Sequence, residues 1–468
     1  MLIKSLSSKK NNFLILFIFI ILFIRTISLY ISSLELHGDE AQYWYWSTYF
    51  DWGYYSKPPL VAWVINFFTL LFGNSVFIIK LPSLIAHFFT SYVLFLLSVL
   101  FNRSKEESLW LSITYLLFFA VSLSSNIIST DPFLLLFWSL SLYFFKLSLE
   151  YRSIKNIAMT SFFVALGFYS KYAMIYFFIC SFFLILFIDN KKIIIENIII
   201  IALLSSLLIS PHIYWVYASD WVTVSHTGDN FNWNSQLFNI EQLFYFSISQ
   251  FFIATPIVLF LYLKEFINFK KFINSYAFEI SYSLPIIILI TMQSFISRAN
   301  ANWSSVAFIG IAMIASNIMY TKYKKTFYVN ISIGFIFLII LSVCIINPPN
   351  ISPLNKLQGM NNASLEIDSL DESLSPDLII FDDRMNMAKF LYGLPDKKHK
   401  MRYLYSGNYP DNHFALTLPV TIEQLKGKKF IVIHKYDHSI NQLIDRLITK
   451  QLYKMPNRKN NFFISYVE

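Results

Sequence analysis

His37-Gly38-Asp39-Glu40-Ala41-Gln42-Tyr43-Trp44, continued by Tyr54-Tyr55-Ser56-Lys57-Pro58-Pro59-Leu60, follows an apolar run from Phe13 to Ile31. Such a run can cross a bilayer as one helix, which takes about 20 residues. Two adjacent carboxylates and a lysine therefore stand at the edge of a segment built for lipid. Charges at membrane depth are costly, so they face a cavity, pair with one another, or carry function. The rest of the chain reads as a scaffold that presents this loop, and a few like it, on one side of a membrane.

Composition agrees. Of 468 residues, 56% are hydrophobic and only 14% charged, which excludes a soluble protein of this length. The net charge of +9 does not point to nucleic acid, because the basic residues sit in short loops between apolar runs. Cys180 and Cys344 both fall inside such runs, so neither a disulfide framework nor a cysteine metal site is expected. Lys4, Lys9 and Lys10 ahead of the first run resemble a signal peptide, but the run is long and no small-residue cleavage site follows. An uncleaved first span is expected.

Eleven candidate spans follow from hydropathy: 13–31, 76–101, 108–125, 132–149, 157–169, 172–188, 193–214, 243–263, 277–296, 303–320 and 327–346. A twelfth apolar segment, 60–72, begins after two prolines and is too short to cross comfortably; it reads as interfacial or re-entrant. The expected class is a polytopic α-helical membrane protein with about 11–13 transmembrane helices. With the N-terminus in the cytoplasm, fifteen lysines and arginines fall in inside loops, against Lys57, Lys171, Arg298 and the borderline Lys80 outside. The same assignment puts the loops of unusual chemistry outside, notably 32–75 and 215–242. After residue 346 the pattern changes to a small α/β domain, 347–468, also expected outside. Within it, 355–376 reads as polar loop, Asp377–Phe381 as a strand and Arg384–Leu394 as a helix. Phe430–His434 reads as a buried strand, Ser439–Tyr453 as an amphipathic helix, and Phe462–Val467 as a last strand.

Several residues have both a plain and a chemical reading. Asp39 and Glu40 could merely solvate a wet loop, but the following Tyr43-Trp44-Tyr45-Trp46 would hold them at the water–lipid boundary on a short helix. On that helix Asp39, Gln42, Tyr43 and Trp46 share a face and Glu40 points aside. A carboxylate so placed can act as a general base. Lys57 is a snorkelling charge in the plain reading; lying on the lysine-poor side, it also suits an anionic head group. Lys171 and Arg298 have the same character. Asp131, behind Ser129-Thr130 and ahead of Pro132, is either a helix start or a second acid of the site, and the two are compatible. His212 and His226 match no compact metal motif and read as structural or acceptor-contacting; Trp215 and its aromatic neighbours suit a sugar or an interfacial belt.

Asp39-Glu40-Ala41, then Tyr55-Ser56-Lys57-Pro58-Pro59-Leu60, Thr130-Asp131-Pro132 and Ser170-Lys171-Tyr172 resemble the GT-C glycosyltransferases of the protein-mannosyltransferase and aminoarabinose-transferase (ArnT-like) type. Arg298–Trp303, Asp382-Asp383-Arg384 and Asn412-His413-Phe414 fit bacterial members, so the resemblance spans nearly the whole chain. It implies a catalytic domain over 1–346 and transfer of a sugar from an undecaprenyl-phosphate-linked donor at the periplasmic face of the inner membrane. By matching motif, Asp39 is the central acid with Glu40 beside it, Asp131 the second acid, and Lys57 a phosphate contact, with Lys171 and Arg298 alongside. Gln42, Tyr43, Tyr55, His212, Trp215 and His226 are left as sugar or acceptor contacts. Two departures touch the site: the aminoarabinose enzymes carry Arg where this chain has Gln42, and Glu where it has Ser56. The expected reaction is a single inverting displacement onto lipid A, with an amino sugar (aminoarabinose or a hexosamine) favoured. Protein O-glycosylation is the rival within the class, and a flippase or transporter of a lipid-linked solute the rival outside it. No cofactor is required by these residues, and a divalent metal ion is left open.

Overall fold

Alternate faces of the first helix, α1 (Lys9–Tyr30), meet different surroundings. Leu14, Ile18, Ile21 and Arg25 are buried, whereas Phe13, Leu16, Phe19 and Phe23 are exposed. A helix apolar on both its buried and its exposed side is lipid-facing on the latter. The computed structural model describes residues 9–188, 190–231, 238–351, 354–405, 407, 409–435, 447–453 and 462–467. Two units make up the chain: Met1–Tyr30, Lys57–Val61 and Lys80–Ser342 in one, and Ile31–Ser56, Ala62–Ile79 and Val343–Glu468 in the other. Each is taken by itself.

The helices run on as α2 (Gly38–Ser47), α3 (Leu60–Phe72), α4 (Val76–Leu100), α5 (Lys105–Leu116), α6 (Phe119–Ser124), α7 (Thr130–Tyr151) and α8 (Ile154–Ser170). Then come α9 (Tyr176–Phe187), α10 (Lys191–Leu208), α11 (Ser210–Ala218), α12 (Val222–Phe231), α13 (Ile240–Gln250) and α14 (Pro256–Phe266). The last of the helical unit are α15 (Phe269–Ser281), α16 (Leu284–Ile296), α17 (Ala307–Lys322) and α18 (Lys324–Ile346). Among the described residues, α1, α4, α7 and α18 are long and apolar enough to cross a membrane; the bent pairs α10–α11 (54°) and α15–α16 (73°) raise the number to six. The eleven expected runs are thus not eleven straight helices. Run 108–125 divides into α5 and α6, and 243–263 into α13 and α14 ahead of Pro256, whose ring cannot continue a helix. Segment 60–72 is α3, whose 13 residues span only about 20 Å. Apart from Asn317 and residues at its C-terminal end, α17 is buried on every side and packs against α5, α14 and α15, so it is the axis of this unit.

The two broken helices complete each other. Phe119 and Ala120, at the start of α6, donate their amides to Ala254 and Ile253 at 3.1 and 3.0 Å, carbonyls that lie between α13 and α14. On the other side of the break, Arg25 donates to the Leu116 carbonyl, to Ser122 Oγ at 2.9 Å and to Ser125 Oγ at 3.2 Å. His87 joins Tyr115 (2.9 Å) to Ser124 (2.6 Å). Backbone groups freed inside a lipid-embedded bundle must find partners within the protein, and Arg25 supplies one to the Leu116 carbonyl.

The other unit contains α2 and most of α3; in it, helices α19 (Met360–Leu374), α20 (Arg384–Gly393) and α21 (His413–Thr417) accompany a sheet ordered β3-β2-β1-β4-β6-β5. Its strands are β1 (Leu378–Phe381), β2 (Met401–Leu404), β3 (Pro419–Val420), β4 (Phe430–His434), β5 (Leu447–Tyr453) and β6 (Phe462–Val467). β1 to β4 are parallel, with Leu378 opposite Phe430; β6 is antiparallel to β4 and β5. The expected strands at β1, β4 and β6 and helix at α20 are present. Residues 355–376 are mainly the helix α19, whose Met360, Ala363, Ser364, Ile367 and Asp371 form one buried stripe hidden by a polar average. The expected helix Ser439–Tyr453 is also not what forms: its described part, Leu447–Tyr453, is the edge strand β5, and 439–446 lie outside the described residues.

Replacing Arg25 by Met is expected to leave the Leu116 carbonyl and two serines without their donor, at about 1–3 kcal/mol for each stranded group. The check is the melting temperature of the purified full chain in detergent, which should fall by several degrees.

Candidate active site

Each residue of His37-Gly38-Asp39-Glu40 has a separate task at the start of α2. His37 is the N-cap: its Nδ1 accepts from the Asp39 amide at 3.3 Å, while Glu40 Oε2 accepts from the His37 amide at 2.8 Å. This is a capping box, which satisfies amides that the first helical turn leaves open. Glu40 is accordingly 2% exposed and spent on the backbone rather than merely turned aside. Asp39 is the acid that remains presented, its side chain 43% exposed.

Gly38 lets a second helix come close. A Cβ there would lie 2.3 Å from Met385 Sδ and 2.7 Å from Met385 Cβ. Because α20 can approach, Arg384 Nη1 reaches Asp39 Oδ1 at 2.9 Å and Gln42 Oε1 at 3.0 Å. Asp39 and Gln42 do share a face, as helical spacing predicts. The aromatic residues behave otherwise than expected. Tyr43, Trp44 and Trp46 are buried, not spread at an interface. Trp44 meets Tyr392 edge-on at 5.0 Å, Trp46 stacks on Tyr54 at 4.9 Å, and Tyr43 tilts against Trp46 at 5.3 Å. Tyr55 donates to the Pro410 carbonyl at 3.0 Å. His413 lies under Tyr45, Trp46 and Tyr49, its Nε2 3.0 Å from the Tyr49 hydroxyl. Burial pushes the His413 pKa down to about 3.

In the helical unit, Asp131 sits in the first turn of α7 and does not cap it. Its Oδ1 meets Lys171 Nζ at 2.7 Å and its Oδ2 accepts from Asn302 Nδ2 at 2.8 Å. Lys171 stands where α8 ends in extended backbone, and Asn302 lies in the short turn Ala301–Ser304. The next residue, Tyr172, places its hydroxyl 2.9 Å from His212 Nε2, and His212 stacks over Trp215 at 6.2 Å. A cavity of about 300 Å³ opens beside Asp131 and Asn302 and is otherwise mostly apolar, with Tyr115 and Ser124 among its walls. An ion pair at one end of an apolar pocket suits a ligand with a polar head and an apolar body.

The described contacts bring together Asp39 with Gln42, Asp131 with Lys171, and His212 with Trp215. Lys57 is half-buried ahead of α3, Arg298 is exposed, and His226 lies half-buried on α12. Arg384 and Asn302 each stand inside a motif quoted above, yet nothing local marks them as partners of an acid. Among the described residues, no three of His, Cys, Asp and Glu converge to hold a metal ion, so no step is built on one.

Gly38→Ala is expected to push α20 from α2 and cost about 1–3 kcal/mol, read as a lower melting temperature. His413 carries a pH prediction. Its folded pKa lies below the usual 6.5, so its contribution is complete above about pH 6.5 and is lost as pH falls toward about 3. Melting temperatures at pH 7.5 and pH 5 should differ, by up to about 1.4 kcal/mol of stability for each pH unit below about 6.5. His413→Asn should flatten that difference.

Residues 56–215 match the family described as dolichyl-phosphate-mannose-protein mannosyltransferase. The chain is 28% identical over 410 residues to the lipid A galacturonosyltransferase RgtD of Rhizobium johnstonii, covering 85% of this chain and 86% of that protein. Its fold is that of ArnT from Cupriavidus metallidurans. Against the apo form the TM-score is 0.68 at 10% identity, over 98% of both chains. Against the form bound to undecaprenyl phosphate it is 0.68 at 12% identity, over 97% of this chain and 98% of that one. A multi-pass membrane fold shared along its whole length, a family match over the segment holding Lys57, Asp131 and Lys171, and a curated relative of nearly the same extent lead to one conclusion: this chain is a glycosyltransferase with the fold of ArnT, similar to the enzymes of the GT-C, ArnT-like type.

Proposed function

We propose that the chain moves a hexuronic acid from a polyprenyl-phosphate carrier to lipid A at the periplasmic face of the inner membrane. The observation that carries this is the relative named for lipid A galacturonate transfer, matched over 85% of the chain. The ArnT structure with undecaprenyl phosphate supports the carrier, and the bias of basic residues supports the sidedness. An amino sugar is the second reading, favoured by the motifs shared with the aminoarabinose enzymes, from which this chain departs at Gln42 and Ser56.

In this reading an acceptor oxygen attacks the anomeric carbon as the bond to the carrier phosphate breaks. The phosphate leaves with the electron pair, and the configuration inverts. Asp39 takes the proton from an acceptor hydroxyl; toward a phosphate acceptor, whose oxygen is already nucleophilic, it stabilises positive charge on the sugar. Lys57, Lys171 and Arg298 balance the charge that grows on the leaving phosphate, and Asp131 with Asn302 keeps Lys171 in place. Gln42, Tyr43, Tyr55, His212, Trp215 and His226 stay as candidate sugar or acceptor contacts, and Glu40 serves through the helix it caps.

Deleting the gene and weighing the host's lipid A tests the reading. Loss of a hexuronic acid mass is expected. Loss of a hexosamine or aminopentose mass would select the second sugar, and an unchanged lipid A would redirect the search to protein or other glycans. On complementation, Asp39→Asn, Asp131→Asn and Lys171→Ala should each lower the initial rate of lipid A modification by about 100-fold or more. Normal rates from all three would misplace the site.

A further inference from the structure

The α/β domain holds one cation against the acid of the first loop, and the way that cation is mounted argues for a role beyond tethering. Three charged residues follow β1. Asp382 accepts from the Lys435 amide with both oxygens, at 2.9 and 3.2 Å, tying the carboxyl end of β1 to that of β4. Asp383 caps α20 by accepting from the Asn386 amide at 2.9 Å. Both acids thus accept from backbone amides, Asp383 also lying 3.8 Å from Lys435 Nζ, and the third residue, Arg384, turns toward α2.

Its platform is rigid. β1 is hydrogen-bonded on both sides, to β2 and β4, and its residues Ile379 to Phe381 are wholly buried. From there one guanidinium nitrogen divides itself between Asp39 and Gln42, a helical turn apart on α2. The Gly38–Met385 approach sets the gap at this end, and the Trp44–Tyr392 contact sets it at the other. As a stability element the pair is minor: its side chains are 36% and 43% exposed, and such pairs contribute about 0–1 kcal/mol. A weak bond mounted on a rigid strand end is suited to orienting a group rather than to holding a fold together.

We propose that Arg384 is a positioning residue for sugar transfer: from the α/β domain it orients the Asp39 carboxylate and, through Gln42, the face of α2 that presents it. This rests on the reading of Asp39 as the acid of the reaction. The domain is then part of the catalytic apparatus rather than an appendage.

Complementation of the deletion strain, scored as the initial rate of lipid A modification per amount of folded protein, separates this from a tether. Arg384→Ala should lower the rate about tenfold or more while the melting temperature stays close to that of the parent. Arg384→Lys should fall between. Because Gln42 accepts from the same nitrogen, an arginine at 42 reaches the same space, so adding Gln42→Arg to Arg384→Ala should recover most of the lost rate. An Arg384→Ala chain that transfers at the parental rate overturns the proposal. So does a loss that follows the amount of folded protein and is not recovered by Gln42→Arg. Asp39→Asn is the control on the reading beneath it. If Asp39→Asn still transfers, both fail; if it is inactive while Arg384→Ala is fully active, only the proposal about Arg384 fails.

Discussion

The contact between Gly38 and Met385 is the constraint on which the arrangement around Asp39 depends. A single added carbon at Gly38 would lie inside the methionine side chain, so α2 and α20 touch only because that carbon is missing. The consequences run in order. Arg384 begins the helix that comes close, its guanidinium reaches Asp39 and Gln42, and the capping box of His37 and Glu40 fixes where α2 starts. Asp39 is left as the acid on display.

A different constraint organises the helical unit. Inside a bilayer, a broken helix must have its freed amides and carbonyls satisfied by the protein itself. Here amides at one break donate to carbonyls at the other, and a buried arginine donates to the Leu116 carbonyl. Arg103 shows the same economy at another loop. By charge alone it marks sidedness, but it is 8% exposed, pairs with Glu279 at 2.6 Å and donates to the Met313 carbonyl at 2.9 Å. The meeting of Asp131, Lys171 and Asn302 joins the start of α7, the residue after α8 and the short turn Ala301–Ser304.

Two of the acids singled out by sequence are placed in compensated pairs. Asp131 with Lys171 and Asp39 with Arg384 each join an acid to a base across long sequence separations, and neither is sealed from solvent. Paired but accessible charges keep their desolvation cost low and leave both groups available to an ionic ligand. That is a suitable resting state for a transferase whose donor carries a phosphate.

From the chain alone, the class of protein could be read, because hydropathy is a property of neighbouring residues and needs no distant contact. The apolar runs, the short basic loops between them, the buried strand Phe430–His434 and the helix after β1 all belong here. So does the signal of the Asp39 and Lys57 motifs. Tertiary structure decided what periodicity could not: that α19 and β5 take the conformations they do, that aromatic residues after Gln42 are buried rather than interfacial, and that Glu40 caps while Asp39 does not. It also chose the partners. Arg384 lies 345 positions from Asp39, and Asn302 lies 171 from Asp131. Local sequence carries no information about which distant side chain will arrive, since only the packed backbone brings such pairs within reach of each other.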